Sequence, residues 1–225
     1  MKSIVQIELT NHCNRRCSYC GQINMKRDRG FMSLDTVYRC IDILHQLKQT
    51  TVGLHHFGES LLHPQFLDIV SILNPRNITP WLNTNGDLLT DSFIERLAKV
   101  KLQHLVISGH AEQAKIVEKY KKCSQAGIKA WWQNPMADNA SNLANQVTLA
   151  NATDNSFAPL KNPQLDCKFL REEMCCVLQN GDLVACCFDY EGITKFGNIH
   201  DAQAVDLVPK VSKLCATCPG HPSNE

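Results

Sequence analysis

Three cysteines lie within the eight residues from Cys13 to Cys20, and a chain that carries them must fold around whatever their thiolates bind. The run reads Cys13-Asn-Arg-Arg-Cys17-Ser-Tyr-Cys20, a CxxxCxxC spacing. Zinc usually takes a fourth ligand and paired CxxC spacings, and a disulfide framework is the other alternative. Three thiolates bind only three irons of a [4Fe-4S] cluster and leave the fourth iron open. The spacing favours such a cluster over zinc.

The part of the chain from residue 3 to residue 133 alternates strand and helix patterns, which argues for parallel strands covered by helices. The cysteine loop follows the first predicted strand. The five predicted strands are Ser3 to Leu9, Thr51 to Phe57, Ile78 to Asn83, Gln103 to Ser108 and Ile128 to Gln133.

Local signals place the helices between these strands. Ser33 is expected to cap the first helix, Pro64 to lie in the first turn of the second, and Thr90 to cap the third, which runs through Val100. A fourth helix is expected over residues 111–126, ended by Gly127. The pattern fades between residues 134 and 162, where a sixth helix and strand are expected, the strand near residues 147–150.

The segments that follow the strands resemble motifs of the radical SAM superfamily. Gly58 and Glu59 match the glycine-glutamate segment, usually GGEPLL, although Phe57 replaces its first glycine and Ser60 its proline. Residues 83–86, Asn-Thr-Asn-Gly, resemble the TNG turn of these enzymes. The order and spacing of these motifs behind the cysteine triplet carry the resemblance.

The resemblance implies a fold, a cofactor and a set of binding residues. The fold is a partial (β/α)5-6 TIM-like barrel, and the cofactor is S-adenosylmethionine, which chelates the open iron and is cleaved to a 5'-deoxyadenosyl radical. Tyr19 would pack on the adenine side, Glu59 would meet the methionine amino group, and Ser108 would lie near the ribose or carboxylate. The implied cofactor-binding residues are Tyr19, Gly58, Glu59, Asn83, Asn85 and Ser108.

A second group of cysteines lies near the C-terminus, around an Asn180-Gly181 pair that predicts a β-hairpin. This layout resembles the twitch domain, a short form of the SPASM domain, which holds an auxiliary iron-sulfur cluster. The resemblance implies the ligands Cys167, Cys186, Cys215 and Cys218. Structural zinc is the alternative, and Cys175, Cys176 and Cys187 are spare thiols, any of which can replace a named ligand.

We therefore expect two domains, a radical SAM partial barrel over residues 1–158 and a small cysteine-rich twitch-like domain over residues 159–225. Cys40 and Cys123 fall within predicted helices and are expected to be buried thiols.

Composition is that of a globular protein, with 44% hydrophobic and 20% charged residues. The chain begins directly as a strand, without a leader pattern, and carries no apolar run long enough to span a membrane. We therefore expect a cytoplasmic protein with no membrane partner. Residues 1–30 have a net charge of +4, which suits an anionic substrate or a solvated surface.

The two expected [4Fe-4S] clusters favour a two-electron oxidation of a substrate C–H bond, in which the auxiliary cluster accepts an electron. An external reductant of the flavodoxin or ferredoxin type would supply one electron to the first cluster. The alternatives are a radical rearrangement, or modification of a peptide, a nucleotide or a nucleic acid whose phosphates contact Lys26, Arg27 and Arg29. A non-enzymatic zinc or iron-sulfur module is a further class, although the near-zero net charge argues against a nucleic-acid module.

No general base is assigned. Four histidines at strand ends are candidates for acid, base or substrate-anchoring roles, although a lone histidine is more often structural. They are His55, His56, His63 and His110.

Overall fold

The structure is a computed structural model that describes residues 2–18, 20–108, 113–133, 167–212 and 214–215. Within these ranges the strands are β1 Ser3–Ile7, β2 Thr51–Gly53, β3 Thr79–Thr84, β4 His104–Ser108, β5 Lys129–Gln133, β6 Met174–Val177, β7 Asp182–Val184 and β8 Lys195–Asn198. The α-helices are α1 Leu34–Gln46, α2 Phe66–Leu73, α3 Asp91–Lys99, α4 Gln113–Gln125 and α5 Lys168–Arg171. Short 3-10 helices cover Gly21–Asn24, Ser60–Leu62, Asn74–Arg76 and Ala204–Asp206.

The strands form one sheet in the order β5-β4-β3-β2-β1-β6-β7-β8. Every pairing from β5 to β6 is parallel, and β7 and β8 are antiparallel additions. The predicted α/β class with parallel strands is confirmed, and the arrangement is consistent with a partial barrel. The sixth parallel strand is β6, which pairs with β1 and not with β5, whereas the strand expected near residues 147–150 lies outside the described residues.

The predicted hairpin is present between β6 and β7. Gly181 occupies its turn with φ +85°, a conformation that favours glycine over residues with a side chain. Because β6 also pairs with β1, the C-terminal strands extend the same sheet as the first five. The proposed boundary between residues 158 and 159 stays a prediction.

Helix caps agree with the sequence at three positions. The Ser33 side chain accepts a hydrogen bond from Thr36 N (3.1 Å), and Thr90 accepts one from Phe93 N (3.2 Å). Gly127 ends α4 with φ +82°. The prediction for Pro64 is wrong by two residues: α2 begins at Phe66, because Pro64 and the residue after it form a turn in front of the helix.

Two predicted strands are longer than the observed ones. We expected β1 to reach Leu9 and β2 to reach Phe57, but they end at Ile7 and Gly53. After β2, Leu54 N still donates to the carbonyl of Trp81 (2.8 Å), while the Leu54 carbonyl accepts from the Ser60 hydroxyl (2.6 Å). The chain therefore leaves the sheet there and turns into a loop.

The main apolar core joins the strands to α1, α2, α3 and α4. Cys40 and Cys123 are fully buried in it, as predicted, and so is Cys175 of β6. Burial raises the pKa of the Cys123 thiol to about 11 and that of Cys175 to about 12. These thiols behave as small apolar groups. Among the described residues, no helix is both long and apolar enough to cross a membrane.

Replacing Cys40 with alanine should leave the iron content of the reconstituted protein unchanged, because its thiol is enclosed by apolar side chains. The loss of sulfur contacts should lower the free energy of unfolding by about 1 kcal/mol. Iron analysis and denaturant unfolding of the variant check both. A loss of iron would show that Cys40 is a ligand and not a core residue.

Candidate functional site

The cysteine triplet lies in the loop between β1 and the 3-10 helix Gly21–Asn24. Cys13, Cys17 and Cys20 are all partly exposed, and Cys17 is near enough to the other two for its charge to raise their pKa values. Burial is the larger cause: it raises the pKa of Cys13 and raises that of Cys20 to about 11. Without a cation the two thiols therefore stay protonated, and a metal must displace their protons on binding.

The surroundings of Cys13 fit a sulfur ligand of an iron-sulfur cluster. Its Sγ accepts hydrogen bonds from Arg15 N (3.4 Å) and from Asn85 Nδ2 (4.0 Å), and such bonds to sulfur tune iron-sulfur clusters. Within the described residues, no three His, Cys, Asp or Glu side chains converge enough to hold a metal ion. Each thiolate of a four-iron cluster binds a different iron, so the three thiolates of the triplet can hold three irons of such a cluster.

A cavity of about 220 Å³ lies beside Cys13. Its lining is basic, since it includes Arg15, Arg16 and Arg29. Positive charge of this kind favours thiolates and carboxylates over their neutral forms. The cysteine loop is therefore open to solvent on a cationic side.

Gly58 packs directly against the backbone that leads into the cysteine loop. Its φ is +144°, and a Cβ at this position would lie 2.2 Å from the carbonyl oxygen of Thr10 and 3.0 Å from that of His12. Glu59 N donates to the same His12 carbonyl (2.8 Å). Only glycine permits this approach, so the loop after β2 sets the position of the loop after β1.

Glu59 is 1% exposed and its carboxylate joins two loops. Oε1 accepts from Thr84 Oγ1 (2.9 Å) and Leu61 N (3.2 Å), and Oε2 accepts from Asn85 N (2.8 Å). These donors are neutral, and burial raises the pKa of the Glu59 carboxyl. A carboxylate has about four acceptor positions, so one remains for a further donor, and a cationic amine is the donor that best stabilises a buried carboxylate.

The turn after β3 is bound to the cysteine loop by a polar network. Asn85 Nδ2 donates to Asn14 Oδ1 (2.8 Å), and Asn14 Nδ2 donates to Asp87 Oδ2 (2.9 Å). Arg15 forms an ion pair with the same Asp87 carboxylate. Three loops that follow three neighbouring parallel strands thus meet around the cysteine triplet.

Two other predicted site residues, Ser108 and Asn83, lie on β4 and β3, and three more lie outside the described residues. Ser108 ends β4 and is paired with Gln133. Asn83 lies beside His55, with its Nδ2 3.5 Å from Nε2 of that ring. Tyr19, His110 and Cys218 lie outside the described residues.

Two basic residues that we considered as phosphate contacts are engaged inside the protein. Arg27 forms an ion pair with Glu8, whose side chain is fully buried, and also donates to the carbonyl of Tyr190 and to Gln179 Oε1. Arg29 donates to the carbonyls of Asn11 and Gln22. Their guanidinium donors hold the cysteine loop in place, which argues against the nucleic-acid reading.

His63 and His56 have structural hydrogen bonds. His63 is 3% exposed; its Nε2 donates to the Met32 carbonyl (2.9 Å) and its Nδ1 accepts from Gln65 N (3.1 Å). The ring nitrogens of His56 face Gln6 Oε1 (3.0 Å) and the Asp189 carbonyl (3.1 Å). Burial lowers the pKa of both histidines.

The sequence predicts a ligand role for Cys186 but assigns no role to residues 188–194 of the same loop. The buried Asp189 carboxylate accepts from the backbone N–H groups of residues 191–194 and from the Thr194 hydroxyl, which shapes the loop. Tyr190 then lies over Gly21, where a Cβ would be only 2.1 Å from its ring. An aspartate followed three residues later by glycine is the turn signal that marks this loop in the sequence.

A family model for the radical SAM superfamily matches residues 7–134, which is more than half of the chain. The matched segment contains the triplet, Gly58, Glu59 and the turn after β3. The chain belongs to the radical SAM superfamily. Radical SAM proteins characteristically use S-adenosylmethionine and a [4Fe-4S] cluster, which agrees with the donor set around Cys13.

Curated relatives of this radical SAM chain include enzymes and maturation proteins. It is 30% identical over 132 residues to the tungsten-containing aldehyde ferredoxin oxidoreductase cofactor-modifying protein of Pyrococcus furiosus, covering 52% of this chain and 36% of that protein. It is 27% identical over 117 residues to the S-adenosyl-L-methionine-dependent 2-deoxy-scyllo-inosamine dehydrogenase of Niallia circulans, covering 48% and 45%. The chain thus spans less than half the length of these relatives.

Solved structures match over nearly the whole chain. BtrN in complex with AdoMet and 2-DOIA has a TM-score of 0.72 at 20% identity, covering 92% of this chain and 82% of that one. Native anSMEcpe with bound AdoMet has a TM-score of 0.62 at 13% identity, covering 91% and 80%. At these identities the likeness shows a shared fold.

Replacing Gly58 with alanine should displace the backbone at Thr10 and His12, since the new Cβ would overlap both carbonyl oxygens. We expect a loss of more than about 2 kcal/mol in unfolding free energy and a marked loss of iron after reconstitution. Iron analysis and thermal unfolding measure the two effects.

Gly127→Ala is the matched control. Gly127 also has a positive φ, but a Cβ there would have nothing within 4 Å. Backbone strain should cost about 1 kcal/mol while iron binding is retained. Equal iron loss in both variants would refute a specific role for the Gly58 contact.

Proposed function

We propose that this radical SAM protein oxidises a substrate C–H bond by two electrons and uses two [4Fe-4S] clusters. The proposed ligands are Cys13, Cys17 and Cys20 for the first cluster and Cys167, Cys186, Cys215 and Cys218 for the auxiliary one. When bound, the first cluster supplies the electron that splits S-adenosylmethionine into methionine and a 5'-deoxyadenosyl radical, and the auxiliary cluster takes up the electron that the substrate loses.

One observation carries the proposal: both groups of cysteines border one small apolar cluster. Its buried members are Met25, Phe57, Phe188, Tyr190 and Leu214. Cys20 of the triplet packs against it, and so do Cys186 and Cys187 of the C-terminal segment. Two metal groups bound at these cysteines would be separated by a few apolar side chains, and a short dry gap favours electron transfer between them.

Polar contacts hold the two cysteine segments together. The backbone N–H groups of Lys26 and Arg27 donate to the Glu191 carboxylate, at 2.6 and 3.2 Å. The Arg27–Glu8 ion pair adds a buried contact to the residue that directly follows β1. Because removing one member of a buried pair typically costs about 3–5 kcal/mol, these contacts fix the spacing of the segments.

Hydrogen bonds to sulfur support the choice of auxiliary ligands. Cys186 Sγ accepts from Phe188 N and Cys215 Sγ accepts from Ser212 N, both at 3.4 Å, as Cys13 does from Arg15 N. Cys175 is a poor replacement, because it is buried in the main core. Burial raises the pKa of the Cys176 thiol, and the neighbouring Cys175 and Cys186 raise it further. Because it lies near Cys186, Cys176 remains a substitute ligand, as does Cys187.

The residues of the first site suit the methionine end of the cofactor. We propose that the free acceptor position of Glu59 binds the methionine ammonium group, and that Gly58 leaves room for this approach. Asn83, Asn85, Ser108 and Tyr19 stay proposed cofactor contacts. The basic cavity lined by Arg15 and Arg16 suits an acidic one-electron donor of the flavodoxin or ferredoxin type.

The relatives support substrate oxidation and also leave peptide modification as an alternative function. One relative is a 2-deoxy-scyllo-inosamine dehydrogenase, and the BtrN structure contains 2-DOIA. These two proteins favour a small cyclic substrate for this chain. Against this, the chain is 31% identical over 103 residues to the PqqA peptide cyclase of Gluconobacter oxydans, covering 45% of this chain and 28% of that protein. Peptide modification is therefore the second candidate.

Anaerobically reconstituted protein should bind about eight irons, and the triple variant of Cys13, Cys17 and Cys20 to alanine about four, because each cluster holds four. The triple variant should also form no 5'-deoxyadenosine under reduction. Iron analysis and chromatography measure both. A wild-type count near four would eliminate the auxiliary cluster, and cofactor cleavage in the variant would eliminate the triplet as its site.

Replacing Cys215 and Cys218 together with alanine should remove about four irons and abolish substrate oxidation, while 5'-deoxyadenosine still forms. The physical reason is that hydrogen abstraction precedes loss of the second electron. The remaining iron and the uncoupled cofactor cleavage control for misfolding. Substrate oxidation that survives in this variant would favour a redox-neutral rearrangement.

A further inference from the structure

One lysine of α4 lies on the side of the helix that packs against the core. Lys119 is three residues after Ile116 and four residues before Cys123, and both of these side chains are buried. Residues three and four apart share one face of a helix, so Lys119 belongs to the inward face. Its side chain is partly buried, and an ammonium group in such a place needs a partner within the protein.

The partner of Lys119 is the turn that follows β3. Lys119 Nζ donates to the carbonyl oxygen of Gly86 (2.5 Å), which also accepts from Leu89 N (3.2 Å). Gly86 has φ +78°, and a Cβ there would lie 2.9 Å from Cγ2 of Ile107 on β4. Both α4 and β4 therefore contact the turn at Gly86.

A short chain of hydrogen bonds leads from Gly86 to the Glu59 carboxylate. Gly86 N donates to Thr84 Oγ1 (3.1 Å), and Thr84 Oγ1 donates to Glu59 Oε1 (2.9 Å). Asn85 N, between them in sequence, donates to Glu59 Oε2 (2.8 Å). Two of the donors that orient the Glu59 carboxylate thus belong to the turn that Lys119 holds.

The same turn carries a carboxylate that contacts the cysteine loop. Asp87 forms the ion pair with Arg15 and accepts from Asn14 Nδ2. The hydrogen bond from Arg15 lowers the pKa of the Asp87 carboxyl against the effect of burial, and the positive charge of Lys119 lowers it further. A second cation, from another element of the fold, therefore lies near the carboxylate that binds the cysteine loop.

We propose that Lys119 is a positioning residue for the cofactor: by holding the turn at Gly86, it keeps the Glu59 carboxylate oriented toward the ammonium group of S-adenosylmethionine. The inference deepens the proposed function and rests on it, because the binding of this ammonium group by Glu59 is part of that proposal. Lys119 acts on the cofactor only through Thr84 and Asn85, the residues of the turn that donate to Glu59.

The orientation of Glu59 matters because a hydrogen bond between an ammonium group and a carboxylate weakens steeply as its angle departs from linearity. A turn that is free to move would leave Glu59 without fixed donors on either oxygen. The carboxylate would then have to be ordered during binding, and that cost weakens the affinity for the cofactor.

Lys119→Met removes the ammonium group and keeps most of the length of the side chain. The full chain, reconstituted with iron and sulfide, is titrated with S-adenosylmethionine in an anaerobic calorimeter, a measurement that needs no turnover. We expect the Kd to rise about tenfold while the iron content stays that of the unmodified chain. Lys119→Arg keeps a cationic donor and should restore most of the affinity.

Lys122→Met is the matched control. Lys122 lies on the same helix, three residues later, and its Nζ bonds Asp91 (2.8 Å) and Glu118 (3.0 Å), neither of which belongs to the turn after β3. The Kd of this variant should equal that of the unmodified chain. An equal rise of the Kd in both variants would show a general effect of α4 and would overturn the proposal.

A double-mutant cycle tests whether Lys119 acts through Glu59. Adding Lys119→Met to Glu59→Gln should change the Kd by less than about twofold, because the orientation of the carboxylate no longer matters in that background. Two independent effects that multiply would overturn the positioning role.

Hydrogen exchange gives a second readout, which decides alone when Glu59→Gln binds too weakly to titrate. The backbone amides of Asn85 and Gly86 are bonded to Glu59 and Thr84, and they should exchange faster in Lys119→Met but not in Lys122→Met. Mass spectrometry of the peptide that contains both amides measures this. Unchanged exchange in Lys119→Met would contradict the proposal.

The positioning role and the proposed function can fail separately. Normal binding of S-adenosylmethionine by folded Lys119→Met overturns the role of Lys119 and leaves the proposed function in place. Weakened binding in this variant, in a chain whose iron count is near four, eliminates the auxiliary cluster and retains the role of Lys119. No binding by the unmodified chain overturns both.

Discussion

The buried ion pair between Glu8 and Arg27 is the contact on which the arrangement of the whole site depends. Glu8 is fully buried beyond the end of β1, and its carboxylate also accepts from the backbone N–H groups of Phe57 and Gln179. One carboxylate thus joins the first strand, the loop after β2, the cysteine loop and the C-terminal hairpin. A buried charge needs such partners, so the four segments are fixed relative to one another.

Around this pair, directional backbone and carboxylate contacts join the loops after the first three strands, in addition to the small apolar cluster that contains Met25 and Phe57. Gly58 brings two backbones together, and Glu59 binds the turn after β3. Such contacts have defined directions, which suits a site that must hold a metal group and a charged cofactor in fixed orientation. The main apolar core, which joins the strands to α1, α2, α3 and α4, supplies stability.

The C-terminal segment completes the site by its pairing with β1. Because β6 is parallel to β1, the hairpin and the following loop lie beside the cysteine loop, although more than 150 residues separate them in sequence. Tyr190 closes the contact by lying over Gly21.

The sequence alone determined the radical SAM family, the α/β class, the helix caps at Ser33 and Thr90 and the Asn180-Gly181 turn, because each depends on short-range spacing or on the conformation of one residue. The tertiary structure decided which side of β1 receives β6, that Arg27 points inward, and that His55 touches Asn83. These are contacts between distant segments. Local propensity holds no information about them, since register and packing of the whole sheet fix which side chains meet.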